Sequence, residues 1–439
     1  MLRLKPDSFD LWDSVLPDEL KKLPEELARV DELLQDERFM EPFIKHFNTT
    51  MGRPTVPVAT FIRLMYLKFR YKLGYETLVQ EVSDSLSWRR FCGIGYQQRV
   101  PEASTLIKLT HKYGEEIFKQ LHDLVIQDLV KRKIVRGRKI RVDTTVIASD
   151  IHYPTDSTLL GDGIRRLRQG LRTVKKTGLR IGRSLSKVKK LIFAGAQYLR
   201  KKGRKTRERV HRINRAIIRT TRTVITKVKR IMHRITNTRI RRFLRKTLEI
   251  TELIADQSEQ RLAGKKITER IVSVVDPRAR PIVKGKLDKP AEFGRTLELT
   301  QDESGYITDH QVHQGNPHEA TLLPDLIHRH QERFADQLKV VAADTVFGSQ
   351  ENRHILTKPG VTRIGIPWRG ILPPDIRAKQ KRPWFKKLRA FRAGIEGSIS
   401  FLHRQFGLKR SMYRGDQGTA IWVSLVMMTA NLYRFARSP

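Results

Sequence analysis

"RKIRVDTTVI", residues 138–147, decides how the chain is read. Ile140, Val142, Val146 and Ile147 are apolar and β-branched residues fill much of the remainder, so the stretch predicts a short strand over 139–147. At its centre stands an acid, Asp143. A carboxylate in an apolar strand costs free energy unless a partner offsets its desolvation, so the strand also predicts a partner for Asp143.

Two more acids stand in comparable settings. "LKVVAADTVFG", 338–348, predicts a buried strand ending at Asp344, and "FRAGIEGSISFLHRQFG", 391–407, places Glu396 on a helix expected over 384–405. Taken singly, an Asp at a strand end reads as a turn or cap residue, and Glu396 as a solvated helix acid paired with Arg392. Asp150, Asp156 and Glu351 read as loop and helix-start acids. Strand ends of α/β sheets are where sites gather, and three carboxylates converging there repel one another unless cations stand between them. Two divalent ions ~3.5–4 Å apart meet that need, and oxygen ligands from two Asp and one Glu suit Mg²⁺ or Mn²⁺. Arg392, four residues before Glu396, and His403, seven after it, share its helix face and are candidate phosphate contacts. Gly394 and Gly397 flank Glu396; each costs a helix ~1 kcal/mol, which points to close approach of another backbone or of DNA.

Three blocks carry a resemblance: "VDTTVIASDIHYPTDSTLL" (142–160), "VVAADTVFGSQEN" (340–352) and "RAGIEGSISFLHRQFGLKRSMYRG" (392–415). They resemble the catalytic blocks of DDE transposases of bacterial insertion sequences. The helical stretch "RPTVPVATFIRLMYLKFRYKLGYETLVQEVSDSLSWRRFCGI" (53–94) resembles the region that precedes the core in the same families. Strands followed by alternation with helices predict a mixed α/β chain; the resemblance, which covers most of the chain except a basic helical insertion, implies an RNase H-like core preceded by an all-helical N-terminal domain. It implies Asp143, Asp344 and Glu396 as catalytic and metal-binding residues, with two Mg²⁺ or Mn²⁺ ions cutting and joining DNA. Arg392 fits the basic position before the family's Glu. His403, with Arg404 beside it, falls where a Lys or Arg follows, and Arg389 stands where a tyrosine is expected. Two other readings stay open: a catalytically inactive or repurposed DNA-binding relative, and a nuclease without strand transfer. An RNA-binding structural protein would explain the charge but not the three acids.

The 439 residues carry 87 Lys+Arg against 46 Asp+Glu, a net charge of +41, which calls for a polyanionic partner, nucleic acid before membrane; the resemblance implies double-stranded DNA. The excess is concentrated: residues 161–250 hold 31 Lys/Arg and 3 Asp/Glu in a pattern of amphipathic helices. Arg204, Lys205, Arg207 and Arg209 are its candidate DNA-backbone contacts. The block separates Asp143 from Asp344 and reads as an insertion over 161–265. It interrupts a catalytic domain over 137–160 and 266–439, which follows a helical DNA-binding domain over 1–136. The pair of helices around Gly74 has the layout of a helix-turn-helix. "ERIVSVVDPRARPIVKGK" (269–286) reads as a hairpin around 276–279, and "GRTLELTQDESGYITDHQVH" (294–313) as another, turning at 302–305. A helix capped by Ser104 is expected to run unbroken beyond residue 130.

The single cysteine, Cys92, excludes an internal disulfide and a cysteine-based zinc site, and reads as a small buried hydrophobe. His310, His313 and His318 lack a zinc spacing. Trp368 and Trp384, in a basic stretch near Glu396, are expected to stack on an unpaired base or to pack in the core. With no apolar N-terminal run and no membrane-length segment, the chain is expected to be cytoplasmic; the resemblance implies in addition association with the nucleoid and a homodimer on DNA.

Overall fold

Apolar residues at three- and four-residue steps fold the first third of the chain into helices, chiefly α1 (Glu25–Leu34), α2 (Val58–Arg70), α3 (Tyr75–Asp84) and α4 (Ala103–Lys131). They are seen in a computed structural model that describes residues 1–6, 17–48, 50–174, 178–198, 201, 203–283, 291–357 and 360–438. Gly74 stands at the start of α3, as its spacing predicts. Two details of α4 differ from expectation. Its N-cap residue is Glu102, whose carbonyl accepts from the N–H groups of Thr105 and Leu106, so Ser104 lies inside the first turn. The helix is also interrupted at Gly114, whose φ of 79° and ψ of 176° leave the helical region; only glycine takes up such a backbone without strain.

The chain divides into two units, residues 1–148 with 295–439 and residues 149–294. In the first, β1 (Lys139–Ser149) runs parallel to a strand at Val340–Ala342. In the second, four helices follow β1: α5 (Asp156–Arg172), α6 (Gly182–Ala196), α7 (Arg204–Ile231) and α8 (Thr238–Leu262). Their apolar stripes meet in one core that includes Ile164, Leu167, Val188, Ile217, Ile225, Leu244 and Ile254. A Cβ on Gly163 would stand 2.5 Å from Thr251, so that glycine sets how closely α5 approaches α8. The cations between these stripes face outward, as amphipathic spacing requires.

The first of the two expected hairpins is corrected. A turn does form at 276–279, with Ala279 donating to the Asp276 carbonyl, but only its far arm, β2 (Arg280–Ile282), is a strand. On the near side Ser273 Oγ accepts from the N–H groups of Val275 and Asp276, and this local bonding competes with a strand ladder. β2 pairs antiparallel with the start of β3 (Glu292–Asp302), and the connection between them lies outside the described residues. The second hairpin forms as expected: β3 pairs antiparallel with β4 (Ile307–Gln314), with Gly305 donating to the Asp302 carbonyl in the turn.

The first unit completes its sheet with α9 (Leu323–Phe334), β5 (Val340–Ala342), α10 (Gln350–Thr357), β6 (Arg363–Gly365), α11 (Pro374–Lys381), α12 (Pro383–Gln405), β7 (Arg410–Ser411) and α13 (Gly415–Ala436). The order through the middle is β3-β1-β5-β6, with β4 on β3 and β7 on β1. Alternation along β1 sends its residues to two cores. Ile140 and Val142 pack with Leu323, Leu326, Ile327 and Leu356 of α9 and α10. Ile147, on the other face, packs with Ile395 and Ile399 of α12 and with α4 and α13. Asp143, in phase with Ile147, therefore points to the α12 side.

Gly365 decides how α12 meets the sheet. A Cβ there would lie 2.7 Å from Cβ of Leu388, an atom that cannot swing aside. Gly365→Ala is expected to push α12 outward and destabilise the protein by ~1–3 kcal/mol. Urea unfolding checks this, and a midpoint equal to that of the wild type would show that the helix does not depend on the missing side chain.

Candidate active site

β1 delivers Asp143 buried, its side chain 12% exposed, with Oδ1 accepting from the N–H of Thr144 at 2.8 Å. Two residues after β5, Asp344 caps the short helical turn Thr345–Phe347, accepting from the N–H of Thr345 at 2.7 Å, and is 44% exposed. Glu396 projects from α12 and is 63% exposed. One guanidinium binds all three. Arg392 Nη2 lies 3.2 Å from Asp143 and 3.7 Å from Asp344, and Nη1 donates to Glu396 at 2.6 Å. Arg392 is thus the partner that the lone acid of the strand requires. Residues 143, 344 and 396 come together from a strand, a strand end and a helix.

Three carboxylates around one guanidinium leave two formal negative charges. Like charges ~4 Å apart repel by ~4 kcal/mol at an effective dielectric of 20, so a single Arg does not complete the balance. Among the described residues no group of three or more His, Cys, Asp or Glu stands ready to hold a metal ion. The donor chemistry nonetheless suits a hard divalent cation: all three are carboxylates, and the centre they share is already taken by positive charge.

Arg141, two residues before Asp143 on the same face of β1, was not singled out from sequence, though the two-residue period would have found it. Its Nη1 donates to the Phe391 carbonyl at 2.8 Å and its Nε to Gln301 at 2.8 Å, fastening α12 one residue before Arg392. Room for this guanidinium explains Gly394, where a Cβ would run into Arg141, so the close approach expected at that glycine is a side chain of the same unit. Gly397 faces open space. Beside the acids lies a cavity of about 420 Å³ whose lining includes Asp344, Thr345, Lys386, Arg389 and Arg392. Thr144, out of phase with Asp143, donates instead to Glu319 at 2.5 Å on the opposite face.

Other candidates lie elsewhere. His403 is half-buried, seven residues and so roughly 10 Å along α12 from Glu396. Arg404 is exposed, and its carbonyl accepts from Lys72 Nζ at 2.9 Å. Arg204, Lys205, Arg207 and Arg209 occupy the exposed first turns of α7, where Arg204 pairs with Glu208 at 3.1 Å and Arg209 stands 5.1 Å from the Tyr198 ring. Asp156 pairs with Arg261 at 2.5 Å and with Arg270 at 3.1 Å within the second unit. His310 bonds Ser424 at 2.9 Å and His313 bonds Glu298 at 2.8 Å. Both tryptophans pack on their own chain: Arg353 lies 3.8 Å from the Trp368 ring, and Phe385 touches both indoles. Burial pushes the Cys92 thiol up from its ordinary value.

Arg392→Ala would leave mutually repelling, partly buried carboxylates without their counter-ion. A loss of ~2–4 kcal/mol is expected in the presence of chelator, with Asp143→Asn added to the same chain recovering part of it. Equal thermal midpoints for wild type and Arg392→Ala would show that the guanidinium does not hold the acids.

Two sequence families match the chain. Residues 16–112 match the Transposase domain (DUF772), and residues 277–432 match the Transposase DDE domain. Asp344, Arg392 and Glu396 lie inside the second match; Asp143 lies outside both. No curated protein and no solved structure matches the chain. Among the described residues, no helix is long and apolar enough to cross a membrane. With a transposase domain near its start and a transposase DDE domain toward its end, the chain is a DDE-type transposase of an insertion sequence.

Proposed function

We propose that the chain cuts and joins DNA at insertion-sequence ends through a divalent-metal site formed by Asp143, Asp344 and Glu396. The observation that carries this reading is the meeting of these three acids on Arg392. A parallel β1–β5 pair at the centre of a mixed sheet, with helices on both faces, supports an RNase H-like core. In this reading residues 1–136 form the DNA-binding domain, residues 137–160 and 266–439 the catalytic domain, and residues 161–265 a basic helical insertion.

Asp143 and Asp344, together with Glu396, would hold the metal pair. When bound, two Mg²⁺ or Mn²⁺ ions supply an activated water or 3′-hydroxyl and stabilise the leaving oxygen. Asp143 is the most rigid ligand, fixed within β1 and by its bond from Thr144. Glu396, exposed on its helix, is the most adaptable. Arg392 stabilises the acids until they are otherwise neutralised, and is then free to turn its N–H groups toward the scissile phosphate. Lys386 and Arg389 draw the phosphate backbone to the cavity. His403 and Arg404 extend that contact along α12. Arg204, Lys205, Arg207 and Arg209 grip backbone without regard to sequence. The working assembly is a dimer on double-stranded DNA.

Two experiments test this. Wild type and Asp143→Ala are compared for duplex binding and for Mg²⁺-dependent cleavage, with a joining assay on free 3′-hydroxyl ends. The variant is expected to bind equally and to lose cleavage by at least ~10³-fold. A wild type that binds DNA yet cleaves with no divalent ion would overturn the enzymatic reading, and cleavage without joining would reduce the protein to a nuclease. In the second experiment, replacing Arg204, Lys205, Arg207 and Arg209 together by Ala is expected to flatten the slope of log affinity against log salt by roughly 3 units. Each lost phosphate contact contributes ~0.9, and Arg204 contributes less because Glu208 already pairs with it. An unchanged slope would exclude these four from the DNA interface.

A further inference from the structure

One side chain near the candidate site breaks the burial pattern of the first unit. Ile371 is 96% exposed, the largest value among the exposed large hydrophobic side chains. It sits in the segment that leads from β6 to α11, and the start of that segment, Pro367, lines the same cavity as Asp344 and Arg392.

The segment is built to present this side chain. Arg353 Nη2 donates to the carbonyls of Ile366 and Pro367, at 2.9 and 3.1 Å, while its guanidinium covers the Trp368 ring. Trp368 also packs on Phe385 of α12, which fixes the base of the loop. Gly370, at φ 81°, then turns the chain in a conformation that favours glycine. Beyond Ile371, Pro373 and Pro374 lock their own φ angles and begin α11. A flexible loop would fold an isoleucine back onto the protein; this one is fastened on both sides and holds it out to water.

The composition of the chain around the tip points to its partner. Residues 366–389 carry 8 Lys/Arg and a single acid, Asp375, and Lys386 and Arg389 line the cavity itself. An apolar tip carried on a cation-rich stretch of chain is complementary to a ligand that is polyanionic outside and apolar within. Duplex DNA is such a ligand: side chains such as Ile, Leu and Pro enter between base steps and unstack them while basic neighbours hold the phosphates.

We propose that Ile371 is a wedge that enters a base step of duplex DNA beside the candidate active site. The proposal rests on the DNA reading given above. Cations at the rim supply affinity from the backbone, and Ile371 opens the stack so that the strand next to the acids can be drawn toward them. Flexible pyrimidine–purine steps offer the least resistance. Trp368, clamped between Arg353 and Phe385, serves as the foundation of the wedge rather than as the stacking platform.

The test uses the full chain and a mixed-sequence duplex with 2-aminopurine placed in turn at each TA and CA step. Wild type is expected to raise 2-aminopurine emission at one or more steps. Ile371→Ser should abolish the rise and weaken binding about tenfold, the factor that 1.4 kcal/mol represents, while Ile371→Met restores both. The salt slope should not change, because no cation has been removed. A rise that persists in Ile371→Ser overturns the proposal, as does wild type binding the duplex with no rise at any step. Loss of self-association by Ile371→Ser in the absence of DNA, with the emission rise intact, would assign the tip to a second copy of the chain instead. Failure of wild type to bind any duplex would remove the DNA reading itself, an outcome distinct from failure of the wedge.

Discussion

The candidate site depends on the Arg392 guanidinium. Asp143 has little access to water, and an ionised carboxylate so placed is tolerated only when another charge or several hydrogen bonds replace its hydration. Arg392 provides that charge and directs its remaining donors to Asp344 and Glu396. The planar fork of arginine suits this position because its separate N–H groups reach separate partners, whereas a lysine ammonium would act as a single point of charge. A loop, a strand and a helix are thereby tied at one point by a residue that the metal-binding reading does not require as a ligand.

The rest of the first unit keeps that point in place. Arg141 reaches across from β1 to the carbonyl of Phe391, so α12 is fastened to the same strand that carries Asp143. Gly394 leaves the space this bridge needs, and Gly365 lets α12 approach β6. Beneath α12, Ile395 and Ile399 anchor the helix in the core shared with α4 and α13, while the opposite face stays open beside the cavity. Position and accessibility thus come from one helical period: buried at 395 and 399, and exposed at 393, 396 and 397.

Periodicity made most of the framework legible. The apolar steps around Val58–Phe69, the glycine before Tyr75, the alternation of β1 and the turn at 302–305 all have local causes, and the structure follows them. Local signals failed where a side chain bonded its own neighbourhood or where a glycine had a choice. Ser273 diverts the stretch before 276 from pairing, and Gly114 interrupts a helix whose apolar spacing continues on both sides. At the site, Asp143 stood out because a carboxylate in an apolar strand is costly, whereas Asp344 and Glu396 stood out through the blocks in which they occur. The part of Arg392 was half visible: four residues from Glu396 it reads as an ordinary helix pair. Its hold on Asp143 and Asp344 is a tertiary fact, made across 249 residues in the first case, and no local pattern encodes it.

The charge distribution adds a constraint on order. A chain of net charge +41 attracts nucleic acid, and Lys386 and Arg389 focus that attraction beside the acids. Yet the acids themselves retain two negative charges around Arg392, and each phosphate of the backbone brings another. A phosphate entering while the guanidinium still serves three carboxylates would meet repulsion at short range, where screening is weakest. Long-range attraction and short-range rejection can coexist only if the acids are neutralised before, or together with, the arrival of the phosphate. In the proposed reading the same neutralisation would release Arg392, and the residue that holds the acids together would then be able to donate to phosphate. On that reading one side chain would serve two states of the site, in an order that electrostatics would set.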